Sequence, residues 1–154
     1  MTVRFKDNRQ TLEQFKKEII ARCPQCHKRA IIFLKKEFNA ESLYFSRLVC
    51  KNCGYLKEIE INNWKYLPAQ QFVSNFSVHL WLEISCCGEK LWAYNEEHLD
   101  FIESYVRAEI RERSPHEKWG WSNSSLASRL PRWMKSSKNR EKILKCIAQL
   151  RNTL

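Results

Sequence analysis

The sequence predicts an α+β fold: an N-terminal three-stranded antiparallel ribbon, then a β-hairpin, then a helical and basic C-terminal region. Three observations predict it. Two Cys-x-x-Cys pairs, Cys23-Pro-Gln-Cys26 and Cys50-Lys-Asn-Cys53, bracket a segment of strand-like composition. A break at Ser85-Cys-Cys-Gly-Glu-Lys90 separates two apolar runs in the manner of a hairpin. Beyond Asn95 the apolar residues recur at helical spacing, and cations crowd toward the C-terminus.

The cysteine pairs organise the first half. Two residues between the cysteines of each pair let the backbone turn into a tight knuckle with both sulfurs facing one point. Two knuckles supply four thiolates, which is the number and geometry that structural Zn²⁺ prefers. Cys23, Cys26, Cys50 and Cys53 are therefore the expected ligands of one structural zinc ion, and the 23 residues between Cys26 and Cys50 leave room for a hairpin. A thioredoxin-like redox pair competes for Cys23 and Cys26, but that chemistry wants a helix N-terminus, and the residues that follow, Ala30-Ile-Ile-Phe-Leu34, read as strand. A disulfide is the other alternative; with no apolar signal core at the N-terminus, the spacing favours metal. The module resembles the zinc ribbons of transcription factors, polymerase subunits and ribosomal proteins.

The elements follow in order. Residues 11–22 read as a short amphipathic helix, with Thr11 and Gln14 as a capping box and Leu12, Phe15 and Ile19 on one face. Residues 29–38, 43–49 and 55–61 are rich in β-branched and aromatic residues and form the three strands, with a turn at 39–42. Gly54 suits the positive φ of the second knuckle. Residues 62–77 read as a connection lying across the ribbon. The runs 78–84 and 91–94 form the hairpin, with Gly88 at its turn. Asn95 caps a helix expected to run to Arg113, where Ser114-Pro115 ends it. Ser125 caps a short helix broken at Pro131, and 138–151 form the last helix with Ile143, Ile147 and Leu150 on one face. The expected domains are 1–62, helix plus ribbon, and 63–154, hairpin plus helical region.

Charge gives the functional expectation. The net +10 is uneven: residues 126–154 hold eight Lys and Arg against Glu141 alone, whereas 71–125 are net acidic. A basic stretch around an aromatic points to a polyanion partner. Arg129, Arg132, Lys135, Lys138, Arg140 and Lys142 surround Trp133, near a helix start whose N–H groups suit phosphate. Nucleic acid, DNA or RNA, is the expected partner, with Trp119 and Trp121 as further base contacts and Lys28, Arg29, Lys35, Lys36, Arg47, Lys51 and Lys57 on the ribbon as weaker candidates. The alternative is a protein-interaction module, an adaptor or a neutraliser of an acidic protein, built on the loop aromatics Trp64, Tyr66, Phe72, Phe76, Trp119 and Trp121. A solvated helix face with Trp133 buried is the plain structural reading of the same residues.

Catalysis has little support: there is no Gly-rich phosphate loop, GxSxG or HExxH, and a site closed by four cysteines offers water no coordination position. The expectation is a non-enzymatic protein. Cys86 and Cys87, with His79, His98 or Cys146, are a second metal candidate; adjacent cysteines aim poorly at one ion, so buried packing is the preferred reading. His27 is a minor replacement ligand. No apolar run approaches the length of a membrane span, and the expected location is cytoplasmic. Residues 80–113, LWLEISCCGEKLWAYNEEHLDFIESYVRAEIRER, and 124–147, SSLASRLPRWMKSSKNREKILKCI, resemble a group of small bacterial zinc-ribbon-containing proteins. That resemblance implies a bacterial cytosolic protein of this architecture and no particular activity.

Overall fold

The computed structural model describes residues 1–36, 44–61, 73 and 76–154. Within them, strands β1 (Arg4–Lys6), β2 (Glu18–Arg22), β3 (Arg29–Lys36), β4 (Tyr44–Val49), β5 (Leu56–Ile61), β6 (Leu82–Cys86) and β7 (Glu89–Ala93) precede helix α1 (Glu96–Arg107). Strand β8 (Ile110–Glu112) follows, then helices α2 (Leu126–Arg129), α3 (Arg132–Lys135) and α4 (Arg140–Arg151). The α+β architecture expected from the sequence is present: a ribbon, a hairpin and a helical C-terminal region. The turn expected at 39–42 and most of the 62–77 connection, with Trp64, Tyr66 and Phe72, lie outside the described residues.

The chain divides into two compact units. The ribbon unit holds Phe15–Leu82 and Ala93–Asn95, and the helical unit holds Met1–Gln14, Glu83–Trp92 and Glu96–Leu154.

In the ribbon unit the sheet order is β2-β3-β4-β5, all antiparallel, so the described residues show four strands where three were expected. The added strand comes from the segment expected to be helical. Leu12–Phe15 makes a 3-10 turn instead, closed by Gln14 N–H donating to the Thr11 carbonyl, and Glu18–Arg22 is β2. Leu12, Phe15 and Ile19 have helical spacing, but Glu18-Ile-Ile-Ala-Arg22 alternates, with Ile19 and Ala21 buried and Glu18 and Arg22 exposed. Tertiary pairing decides for the strand because it satisfies the backbone on both edges. Ile19 and Ala21 face Ile32 and Ala30 of β3. On the opposite edge Arg22 N–H donates to the His79 carbonyl, Trp81 N–H to the Ile20 carbonyl, and Ile20 N–H to the Tyr94 carbonyl. The Asn95 amide donates to the Phe15 and Glu18 carbonyls at 2.8 and 2.7 Å, pinning the entrance to β2.

The helical unit has its own core. Phe5, from β1, stands edge-on to Phe101 and Tyr105 of α1, with ring centroids 5.5 and 5.2 Å away. Leu99, Ile102 and Val106 of α1 and Ile143, Ile147 and Leu150 of α4 are buried, as the helical spacing requires. The hairpin turn is Cys87-Gly88, both at positive φ (55° and 78°), the combination that matches the right-handed twist of flanking strands. Ser125 Oγ accepts from Ser128 N–H and caps α2, which Pro131 separates from α3.

Helix α1 stops at Arg107, six residues short of the expected end. Ala108 is buried and Ile110–Glu112 turns into β8, pairing in parallel with β1 across more than one hundred residues of sequence. The helix end is closed from outside: Arg111 Nε donates to the Tyr105 carbonyl, and Arg140 Nε and Nη2 to the Val106 and Ala108 carbonyls. Arg151 on α4 pairs with Asp100 and Glu103 of α1.

His98 sits buried on α1, its ring edge-on to Trp92 at 5.6 Å. Burial pushes its imidazole down to about 4, so the folded chain holds it neutral where the unfolded chain would protonate it. A folded pKa below the unfolded one gives stability that is present above about 6.5 and lost as pH falls from there toward about 4. His98→Phe, which keeps a ring against Trp92, is expected to flatten this part of the profile. Urea midpoints of both chains across pH 7 to 4 check it; parallel losses in the two would contradict the assignment.

Candidate metal centre

The metal centre is built by two copies of one backbone motif in the ribbon unit. Cys23 N–H donates to the Lys28 carbonyl and His27 N–H returns to the Cys23 carbonyl, at 2.8 and 2.9 Å. Cys50 N–H donates to Tyr55 and Gly54 N–H returns to Cys50, both at 2.9 Å. Each knuckle thus closes through the residues four and five beyond its first cysteine. Each also needs positive φ at the fourth: Gly54 at 77° and His27 at 60°. Histidine at this position carries the left-handed strain that glycine escapes. His27 is exposed, and its backbone is what the knuckle uses.

The first knuckle joins β2 to β3 and the second joins β4 to β5, so the sheet register places both at one end. All four Sγ atoms lie within 4.8 Å of one another. Cys23 Sγ is 3.7 Å from Cys53 Sγ, and Cys26 Sγ is 3.5 Å from Cys50 Sγ. A tetrahedron with Zn–S bonds of about 2.3 Å has edges of about 3.8 Å, so the spacing fits that ion. Among the described residues this is the one group of three or more potential ligand side chains gathered closely enough to hold a metal.

The protonation chemistry agrees. The backbone N–H of Lys28 draws the Cys26 thiol down to about 6, against the opposing effect of desolvation. The Tyr55 N–H acts the same way on Cys53, but desolvation and the thiols of Cys26, Cys23 and Cys50 outweigh it and push Cys53 up to about 12. Four crowded sulfurs release a first proton easily and resist further ionisation, because each new thiolate meets the last. A divalent cation removes that resistance, and the −2 charge of the complex then rests beside Lys28, Arg29 and Lys51, all exposed on or next to the knuckles. The donor set fits one structural Zn²⁺. When bound, zinc cross-links β2, β3, β4 and β5 at one end, and four protein thiolates complete its sphere, as in non-catalytic sites.

The remaining thiols form a looser group in the helical unit. Cys86 is buried with its Sγ 3.8 Å from Cys87 Sγ, and Cys146 Sγ reaches the Ser85 carbonyl at 3.9 Å. Burial and the neighbouring Cys146 and Cys87 thiols push Cys86 upward, and among the described residues these thiols do not gather closely enough with a third ligand to hold a metal.

The basic C-terminal residues separate into two sets. Arg140 is committed to the α1 carbonyls, and Lys135 Nζ donates to the Ser128 carbonyl at 2.8 Å. Arg129 is exposed but gives its Nε to the Asn123 carbonyl. Arg132, Lys138 and Lys142 are exposed, and Trp133 is half-buried, its carbonyl accepting from Asn139 Nδ2. Lys145, absent from the expected set, is exposed as well; Lys142 and Lys145 lie one turn apart on α4, and Lys138 precedes them in the 3-10 turn Ser137–Asn139. On the ribbon, Arg47 pairs with Glu58. Comparison with protein-family models, with curated proteins and with solved structures finds no match, so the metal module stands on its own geometry.

Two outcomes are expected. Cys50→Ser should abolish stoichiometric zinc and melt β2–β5, since metal binding and folding are coupled in such modules; one zinc per chain with unchanged thermal stability would refute the ligand set. Gly54→Ala should cost about 1 kcal/mol in the zinc-loaded chain, because alanine strains at φ 77°. Guanidinium unfolding midpoints measure it.

Proposed function

We propose that the chain is a zinc-stabilised, non-enzymatic nucleic-acid-binding protein whose C-terminal helical region contacts phosphates. The observation that carries this reading is the run of exposed cations Arg132, Lys138, Lys142 and Lys145, in a segment whose one acid is Glu141. Cations with internal partners stabilise the fold, whereas a run of exposed cations with one acid among them raises the local potential and draws a polyanion. Asn139, at the N-cap of α4, donates its amide to the Trp133 carbonyl and makes no side-chain cap to the helix, whose first N–H, that of Arg140, goes to the Ser137 carbonyl. Zinc serves as the frame that fixes the ribbon. Within this reading the location is cytoplasmic; among the described residues no helix is long and apolar enough to cross a membrane.

The second reading, a protein-interaction module, keeps one supporting observation, the exposure of Trp119 and Trp121. Phe76 leaves that argument because it is buried in the ribbon unit.

Four contacts, from Arg132, Lys138, Lys142 and Lys145, predict a log–log salt slope of about −4 for oligonucleotide binding. Replacing the three lysines by alanine should reduce the slope by about 2 to 3 and weaken binding uniformly across sequences. Fluorescence anisotropy at several salt concentrations measures both; affinity indifferent to salt would overturn the reading.

A further inference from the structure

Between β8 and α2 the helical unit carries a tight turn over residues 116–120. His116 N–H donates to the Gly120 carbonyl at 2.7 Å and Gly120 N–H returns to His116 at 2.9 Å. The imidazole Nδ1 of His116 accepts the backbone N–H groups of Lys118 and Trp119 at 3.0 and 3.3 Å, filling the turn from inside. Gly120 at φ 67° reverses the chain. The base of the turn is tied down in turn: Arg113 Nη2 donates to the Ser122 carbonyl and Asn123 Oδ1, and Arg9 Nη2 to the Ser114 carbonyl.

This hydrogen-bonded structure holds two indoles in solvent. Trp119 is 72% exposed and Trp121 67%. Exposing one large aromatic is ordinary; fixing two beside each other on an ordered turn marks a contact surface. Each ring also has its own cation: Lys118 Nζ lies 4.9 Å from the Trp119 ring centroid, and the Arg113 guanidinium lies 5.9 Å from that of Trp121. A ring paired with a cation is complementary to a base paired with a phosphate, which is the repeating unit of a single strand. A duplex hides its base faces in the stack and offers such rings nothing flat to meet.

We propose that the turn of residues 116–120, with Trp121, is a stacking platform for unpaired bases of a single-stranded nucleic acid, Lys118 meeting the adjoining phosphate. This rests on the nucleic-acid reading above and narrows it to unpaired strands. The exposed C-terminal cations supply phosphate affinity without regard to strandedness, and the platform selects strands whose bases are free to stack.

The test uses the full-length zinc-loaded chain with a labelled 12-nucleotide single strand, the same strand in duplex, and a single strand of equal length made of abasic sites. The expected result is that the single strand binds about tenfold or more tighter than the duplex, with quenching of indole emission. Trp119→Ala and Trp121→Ala should each cost about tenfold on the single strand, leave duplex binding and the salt slope unchanged, and recover with phenylalanine. Equal binding of abasic and base-bearing strands, or single-strand affinity untouched by the double alanine variant, overturns the platform while the phosphate reading stands. Absence of salt-dependent binding to every oligonucleotide overturns both. Indole quenching by anionic vesicles and not by oligonucleotides likewise overturns the platform, in favour of a lipid surface.

Discussion

The ribbon depends on four sulfurs brought to one point by two short backbone loops. Neither loop has hydrophobic content of its own. Each is closed by two main-chain hydrogen bonds and one residue at positive φ. That is too little to hold two knuckles together, and the thiols themselves resist joint ionisation, as the upward push on Cys53 shows. A divalent ion converts mutual repulsion into cross-linking. Every strand of the four-stranded sheet begins or ends at a knuckle, so the metal acts on the register of the whole sheet. The apolar pairs behind it, Ile19 with Ile32 and Ala21 with Ala30, then close a small core that would be marginal alone.

The helical unit solves a different problem, which is how to carry a strongly basic C-terminal segment and still fold. It spends part of its positive charge internally. Arg140 and Arg111 close the C-terminal carbonyls of α1, Lys135 reaches the Ser128 carbonyl, and Arg151 is shared between Asp100 and Glu103. In the C-terminal segment the other exposed cations are Arg132, Lys138 just before α4, and Lys142 and Lys145 on it, whereas Arg129, though exposed, gives its Nε to the Asn123 carbonyl. A count of Lys and Arg along the sequence does not distinguish the two sets. What distinguishes them is whether a head group has a carbonyl to bond inside the fold, because only the remainder is available to neutralise a partner's charge.

Much of this was legible in the sequence, for physical reasons that also explain the failures. The four ligands were readable because two-residue spacing constrains the backbone so tightly that few structures use it. Gly88, Ser125 and Pro131 were readable because each acts within three or four residues. Residues 11–22 carry helical spacing at Leu12, Phe15 and Ile19, while the partners that decide for a strand over Glu18–Arg22, namely Ala30, Ile32 and Leu80, lie elsewhere in the chain. Strands β1 and β8 were invisible for the same reason: three residues each, paired across the length of the chain. The end of α1 was placed too late because its caps come from Arg111 and Arg140, outside the helix. Lys145 lies outside the sequence cluster around Trp133, and only the turn of α4 brings it next to Lys142.

The central claim is that all four positions around the metal belong to protein sulfur. X-ray absorption at the zinc edge, on purified chain carrying one zinc, tests this directly. The account predicts a single shell of four sulfurs at about 2.3 Å. A shell containing nitrogen or oxygen, from His27 or from water, would contradict it.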